Sequence, residues 1–289
     1  MDADLDTLCT VVYCTADDLL PEAKRNARRR IADAEVVTLC VAQAIMGIPS
    51  DRRFLAAAAG RLAHLFPNLP SQAAFFKRRR RLAETIEWLM GVFASQSPGY
   101  HDDLLLLDST PVECARSRET VRRSALADCA DYGYCAAHSR YFWGFRLHGI
   151  FALDGTPRAI CLASPKRDER EVAAQLLARC KRAGGEIVVA DKGYAGADFA
   201  AQIEDLDCVL ARPARLDEPA GGLHLGPIRQ RIESIFWTAK DLLTLERHGA
   251  RTMAGLRERI VARFCCLAAC VSLNHQLGRP TRSLVCYCS

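Results

Sequence analysis

Apolar residues recur with a helical period through the first third of the chain and then give way to short continuous runs. Ile31, Ala34, Val37, Leu39, Val41 and Ile45 predict a helix over 30–46, which the Gly47-Ile48-Pro49-Ser50 stretch stops. Phe54, Leu55, Ala58, Leu62 and Leu65 make the stripe of a second helix over 51–65. Pro67-Asn68-Leu69-Pro70-Ser71 reads as a turn, with Ser71 placed to N-cap a third helix over 72–93. Ser95-Gln96-Ser97-Pro98-Gly99 is the most linker-like stretch. It divides the chain into a helical N-terminal domain, 1–95, and a second domain, 96–289, that includes the C-terminal helices.

The period changes after that boundary. Leu104 to Asp108 reads as a short buried strand. Residues 141–153 and 158–164 form two more, joined at Asp154-Gly155-Thr156-Pro157, which has hairpin turn chemistry. Asp168 is placed to N-cap a helix to Cys180, ended by Gly184-Gly185. A strand over 186–190, a short helix over 199–206 and a strand over 208–212 follow. Pro227 opens a long basic helix, with further helices through 277. The order is three strands, helix, strand, helix, strand, helix. It fits an α/β fold with an RNase H-like mixed five-stranded sheet flanked by helices.

Composition narrows the class. The 289 residues are half apolar and a quarter charged, with net charge +5, which permits a nucleic-acid partner without requiring one. The basic residues cluster, as in Arg28-Arg29-Arg30 and Lys77-Arg78-Arg79-Arg80-Arg81. The fourteen cysteines are scattered, many at apolar positions, and read as reduced thiols suited to a reducing cytoplasm. Cys286-Tyr287-Cys288 reads as a frayed end rather than a metal site. The acidic start lacks a cationic leader, and no run has the length of a charge-free membrane span. Ile260 to Leu273, interrupted by Arg263, reads as a buried helix.

Three acids carry the candidate chemistry. Asp108 ends one apolar run, Asp191 ends another, and Glu233 lies in the basic amphipathic helix. The spacings are 83 and 42 residues. Two strand-end carboxylates and a helical one can converge at a sheet edge and hold divalent metal, which phosphodiester chemistry needs. Taken singly, each acid has an ordinary structural role as a turn cap or a surface ion pair. Oxygen ligands suit Mg²⁺, with Mn²⁺ as a substitute. Asp108, on the first and central strand, is the candidate to bridge two ions, with Asp191 and Glu233 each holding one. The arginine-rich helix carrying Lys77 to Arg81 suits a helix-turn-helix DNA reader and equally a plain helical bundle with a solvated basic face.

The surroundings of the acids bring in a family. Asp191-Lys192-Gly193-Tyr194 resembles the D-x-G-Y stretch of bacterial DDE insertion-sequence transposases. Arg229 and Lys240, four before and seven after Glu233, resemble the Y-x2-R-x3-E-x6-K signature of one group of them, although its tyrosine position is Gly226 here. Arg231-Ile232-Glu233-Ser234-Ile235-Phe236 is closer to the R-I-E-x-x-F version of the insertion sequence 982 family. Asp108-Ser109-Thr110-Pro111, residues 143–148 and residues 165–172 look like the same family.

The resemblance implies an RNase H-like catalytic domain, a triad of Asp108, Asp191 and Glu233, magnesium, and a bacterial, nucleoid-associated enzyme. That enzyme would cleave double-stranded DNA at element ends and join 3′-hydroxyls to target DNA, working at least as a homodimer. Arg229 and Lys240 would face DNA phosphate, with Arg231, Lys192, Lys77, Arg78, Arg79, Arg80 and Arg81 as further candidate contacts. Trp143, Tyr194 and Trp237 can pack in a core or stack on an unpaired base, and core packing is the default. Two other readings stay open: an RNase H-like nuclease that does not join strands, and a DNA-binding protein derived from such an element whose catalysis is lost.

Overall fold

The computed structural model describes residues 4–21, 30–135, 139–215 and 225–288. Arg28 and Arg29 of the first arginine cluster lie outside the described residues. The chain forms two compact units, one of residues 1–96 with 238–289 and one of residues 97–237.

The first unit is helical. It contains α1 (Leu5–Leu19), α2 (Asp33–Ile45), α3 (Asp51–Arg61), α4 (Gln72–Arg81), α5 (Ala83–Ser95) and α10 (Met253–Gln276). The C-terminal helices, read from sequence as part of the catalytic domain, pack here instead. The reason lies in α10, which is buried on every side, from Leu256 and Ile260 to Val271 and Leu273, and so needs helices all round it. The helices α5, α2, α1 and α4 supply that cover. The expected helix over 72–93 is two, because the backbone at Leu82 departs from helical geometry at φ −90°, ψ 7°, with its side chain buried.

The tail is not frayed. The buried Tyr287 hydroxyl donates to Asn274 Oδ1 at 2.7 Å, and Asn274 Nδ2 donates to the carbonyls of Thr281 and Ser283. All fourteen cysteines are free thiols. No helix among the described residues is long and apolar enough to cross a membrane.

A buried charge network crosses this unit. Arg79, 1% exposed, donates to both carboxylate oxygens of Asp51 and to Gln43 Oε1, and its Nε donates to Glu258 Oε1 at 3.0 Å. Arg259 reaches the same Asp51 at 2.9 Å. Arg79 and Arg259 hold the Asp51 carboxyl below its usual value despite burial. Arg79 was a candidate DNA contact in the arginine run; its burial removes it from that role. Arg78 is half-buried on Asp33, to which the exposed Arg81 also donates. Lys77 and Arg80 are exposed.

The second unit carries a six-stranded mixed sheet, one strand more than expected. Its strands are β1 (Leu104–Ala115), β2 (Asp131–Cys135), β3 (Arg140–Ala152), β4 (Pro157–Ala163), β5 (Glu186–Val189) and β6 (Cys208–Ala211). The order is β2-β3-β1-β5-β6, with β4 also on β3. β3 is antiparallel to β1, β2 and β4, while β5 is parallel to β1 and to β6. With its flanking helices this is the expected RNase H-like arrangement. α6 (Arg118–Arg123) and β2 lie between β1 and β3.

β1 runs seven residues past Asp108, through Pro111. A strand tolerates proline where one edge is unpaired, and β5 pairs β1 only at Leu104 to Leu106. α7 (Glu169–Arg179) and α8 (Ala197–Asp205) cover one sheet face over Leu105, Leu107, Ile150 and Val188. α9 (Gly226–Asp241) buries Ile232, Ile235 and Phe236.

Two stability predictions follow from buried charge. Arg79→Ala leaves Asp51 and Glu258 without their shared cation. It should cost about 3–5 kcal/mol of stability, against less than about 0.5 kcal/mol for the exposed Arg80→Ala. Comparable losses in thermal melts of the two variants would contradict the network's role.

His148 on β3 is 1% exposed, and its Nδ1 has no hydrogen-bond partner among the described residues. Burial first, then Arg146 and Arg167, push its imidazole down to about 4 from 6.5. The unfolded chain takes up this proton below about pH 6.5 and the folded chain only below about pH 4. Stability should therefore fall by up to about 3 kcal/mol as pH drops through that window. His148→Gln should lose less stability than wild type between pH 7 and 4.5 in denaturant melts; equal losses would contradict it.

Candidate active site

The parallel register of β1 and β5 sets the site. Leu106 pairs with Val189, so Asp108, still within β1, and Asp191, just past the end of β5, each lie two residues beyond a paired position, at the same level. Adjacent strands stand about 4.8 Å apart, and residues two apart share a face. Asp108 and Asp191 therefore sit side by side on one face. The third acid arrives on α9, anchored by Phe236, whose ring meets Phe151 of β3 edge-on with centroids 5.6 Å apart. Gly149, directly across from Asp108, leaves the space that Phe151 fills; a Cβ there would lie 2.3 Å from the Phe151 ring.

Asp108, Asp191, Arg229 and Glu233 line one cleft, with Leu106, Val189 and Ile232 among its walls. The three acids expected from the sequence thus line the same cleft. Among the described residues, Arg229 and Glu233 form no ion pair with each other, as a surface pair four apart on a helix would. Asp108 and Asp191 are half-buried and Glu233 is exposed. Asp191 Oδ1 accepts from the Gly193 amide, closing the turn Lys192–Tyr194, and Asp108 Oδ1 accepts from the Ser109 amide at 2.7 Å. Burial first pushes the Asp108 carboxyl up to about 7, with Asp191 and Glu169 adding to it. The Ser109 amide and Arg229 act in the opposite sense.

The other candidate residues separate. Lys192 and Arg231 are exposed. Lys240 lies 3.5 Å from Glu246, an acid beyond the end of its helix that helical spacing did not reveal. Trp143 and Tyr194 are buried, at 4% and 2% exposure, as core residues should be. Trp237 departs from that default at 61% exposure, while its neighbour Phe236 is buried. Asp168 caps α7, and Arg170 holds its carboxyl down to about 2.

Sequence reasoning missed Glu169. Its Oε2 accepts from the Ser109 hydroxyl at 2.7 Å, and Arg146 bridges Glu169 Oε1 and Ser109 Oγ at 3.1 and 3.0 Å. Only its place beside the capping Asp168 hinted at it. Among the described residues, no group of three or more His, Cys, Asp or Glu is gathered closely enough to hold a metal ion. The donor set of the cleft is nonetheless all carboxylate oxygen, which suits a hard divalent cation.

No curated protein matches the chain. A family model described as a transposase DDE domain matches residues 99–269, more than half of the chain and including all three acids. With Asp108 on the central strand level with Asp191 just past β5, and a helical glutamate lining the same cleft, the chain belongs to the transposase DDE domain family.

Proposed function

We propose that this transposase-type enzyme cleaves phosphodiester bonds at the ends of a DNA element and joins the freed 3′-hydroxyls to target DNA. The observation that carries the reading is the level placement of Asp108 and Asp191 in one cleft with Glu233. Asp108 would hold two divalent ions jointly, Asp191 one of them and Glu233 the other, with Mg²⁺ the natural ion and Mn²⁺ its substitute. When bound, such ions activate the attacking oxygen and stabilise the departing one. The raised Asp108 carboxyl supports the assignment, because a cation would offset the burial and the like charge beside it. Glu233, exposed on α9, has the rotamer freedom to close on an ion.

The exposed face of α9 supports a DNA partner. Arg229, Glu233 and Trp237 follow one another at four-residue spacing and so share a face, and Lys240 lies one turn on. Arg229, Arg231, Lys240 and Lys192 would meet phosphate, and Trp237 would stack on a base at a strand end. In the helical unit Lys77, Arg78, Arg80 and Arg81 are left as candidate contacts, without Arg79. Membership of the insertion sequence 982 group, on the R-I-E-x-x-F stretch, and action as a homodimer on paired element ends belong to the same proposal.

The test is nicking and strand transfer on a duplex carrying the element's end, with Mg²⁺ or Mn²⁺. Asp108→Asn, Asp191→Asn and Glu233→Gln should each reduce both steps by at least about 10³-fold while leaving DNA binding. Cleavage without joining would point to a nuclease, and binding without cleavage under either metal to a DNA-binding relic. Trp237→Ala should weaken binding to a single-stranded end by about 5–150-fold, the worth of one stacked base, in fluorescence anisotropy. Unchanged affinity would remove Trp237 from the DNA face.

A further inference from the structure

Both aspartates are tied, from behind, to the first turn of one helix. On the Asp108 side, Ser109 points to the opposite sheet face, where its hydroxyl donates to Glu169 Oε2 at 2.7 Å. Arg146 on β3 closes the arrangement. Its Nη1 reaches Ser109 Oγ at 3.0 Å and Glu169 Oε1 at 3.1 Å, and its Nη2 donates to the Tyr134 carbonyl at 2.9 Å. On the Asp191 side, Arg170 Nη1 donates to the Ala195 carbonyl at 3.0 Å, just past the turn that Asp191 caps. Arg170 is itself held by Asp168 through contacts of 3.1 and 2.7 Å, and Asp168 caps the helix. Tyr194, between the two ties, packs on Phe199 with centroids 5.8 Å apart.

We propose that Glu169 and Arg170 are positioning residues that set the separation of the Asp108 and Asp191 carboxylates, and with it the affinity of the cleft for a divalent cation. The proposal rests on the reading of those two acids as metal-holding groups. Neither residue touches the ion. Glu169 fixes the backbone at Ser109, whose amide is the donor that holds Asp108 Oδ1. Arg170 fixes the end of the turn whose Gly193 amide holds Asp191 Oδ1. Because the two ties leave adjacent residues of one helix turn, strands β1 and β5 cannot drift apart at the acids without breaking one of them. Arg146 balances the charge of Glu169, so that a fourth carboxylate can stand close to Asp108 without adding an unpaired negative charge to the cleft. Outer partners of this kind orient metal ligands, and their loss commonly costs 10–100-fold in metal affinity.

The test is Mn²⁺ binding to the full chain by isothermal titration calorimetry, well below the melting temperature, with thermal midpoints measured alongside. Asp191→Asn reports on the acids themselves. Glu169→Ala removes the acceptor for the Ser109 hydroxyl, and so the first tie. Arg170→Met removes the second tie independently, should the first variant fold poorly. The expected result is Mn²⁺ binding in wild type, its loss in Asp191→Asn, and about 10–100-fold weaker binding in Glu169→Ala and Arg170→Met with little change in midpoint. Wild-type affinity in both positioning variants would overturn this proposal alone. No Mn²⁺ binding in wild type, or equal binding in Asp191→Asn, would overturn the reading of the acids and this proposal with it.

Discussion

The pairing of β1 with β5 is the constraint on which the site depends. Parallel strands in register carry residues at equal offsets to the same height and the same face. Leu106 opposite Val189 is therefore enough to place Asp108 beside Asp191. The position of β1 between an antiparallel and a parallel neighbour means that Asp108 can move only if the centre of the sheet moves. α9 is added to this frame by apolar contact rather than by pairing. Phe236 lies against Phe151, which fills the space left by Gly149, and the polar face of the helix, with Glu233, is turned to the cleft.

Like charges packed at a sheet edge repel one another, and the molecule handles this with cations placed around them. Arg229 lines the cleft, and Arg146 neutralises Glu169 behind Ser109. What repulsion and burial remain is visible in the Asp108 carboxyl, pushed up to about 7. The helical unit uses the same chemistry for a different end. Arg79, Asp51, Glu258 and Arg259 pair with one another out of solvent, and there the guanidinium joins helices rather than meeting a ligand. A run of arginines in a sequence is thus no guide to which of them meets solvent.

Much of this was legible in the chain. The apolar runs before Asp108 and Asp191 showed the two strands that lead to the acids, although β1 continues past Asp108 to Ala115 and β5 exposes Ile187. The 3.6-residue stripe of Ile232, Ile235 and Phe236 showed the helix that carries Glu233. Less legible were elements whose stability comes from a distant partner. β2 is five residues with two exposed tyrosines, and it exists because β3 offers it an edge. The second half of β1 passes through a proline that local rules treat as a stop.

Side-chain partners far apart in sequence were illegible for the same reason. Glu169 meets Ser109 across 60 residues, and Arg79 meets Glu258 across 179. Local pattern records which way a residue faces, because periodicity is enforced by the nearest turns of its own helix or strand. That determined the strand-end acids, the helical one and the alternation of layers. Which polar group meets which is decided only when the sheet closes and the helices pack. Solvent access is decided at the same step, which is why Trp237 was assigned to the core by the company of Phe236 and turned out to face water.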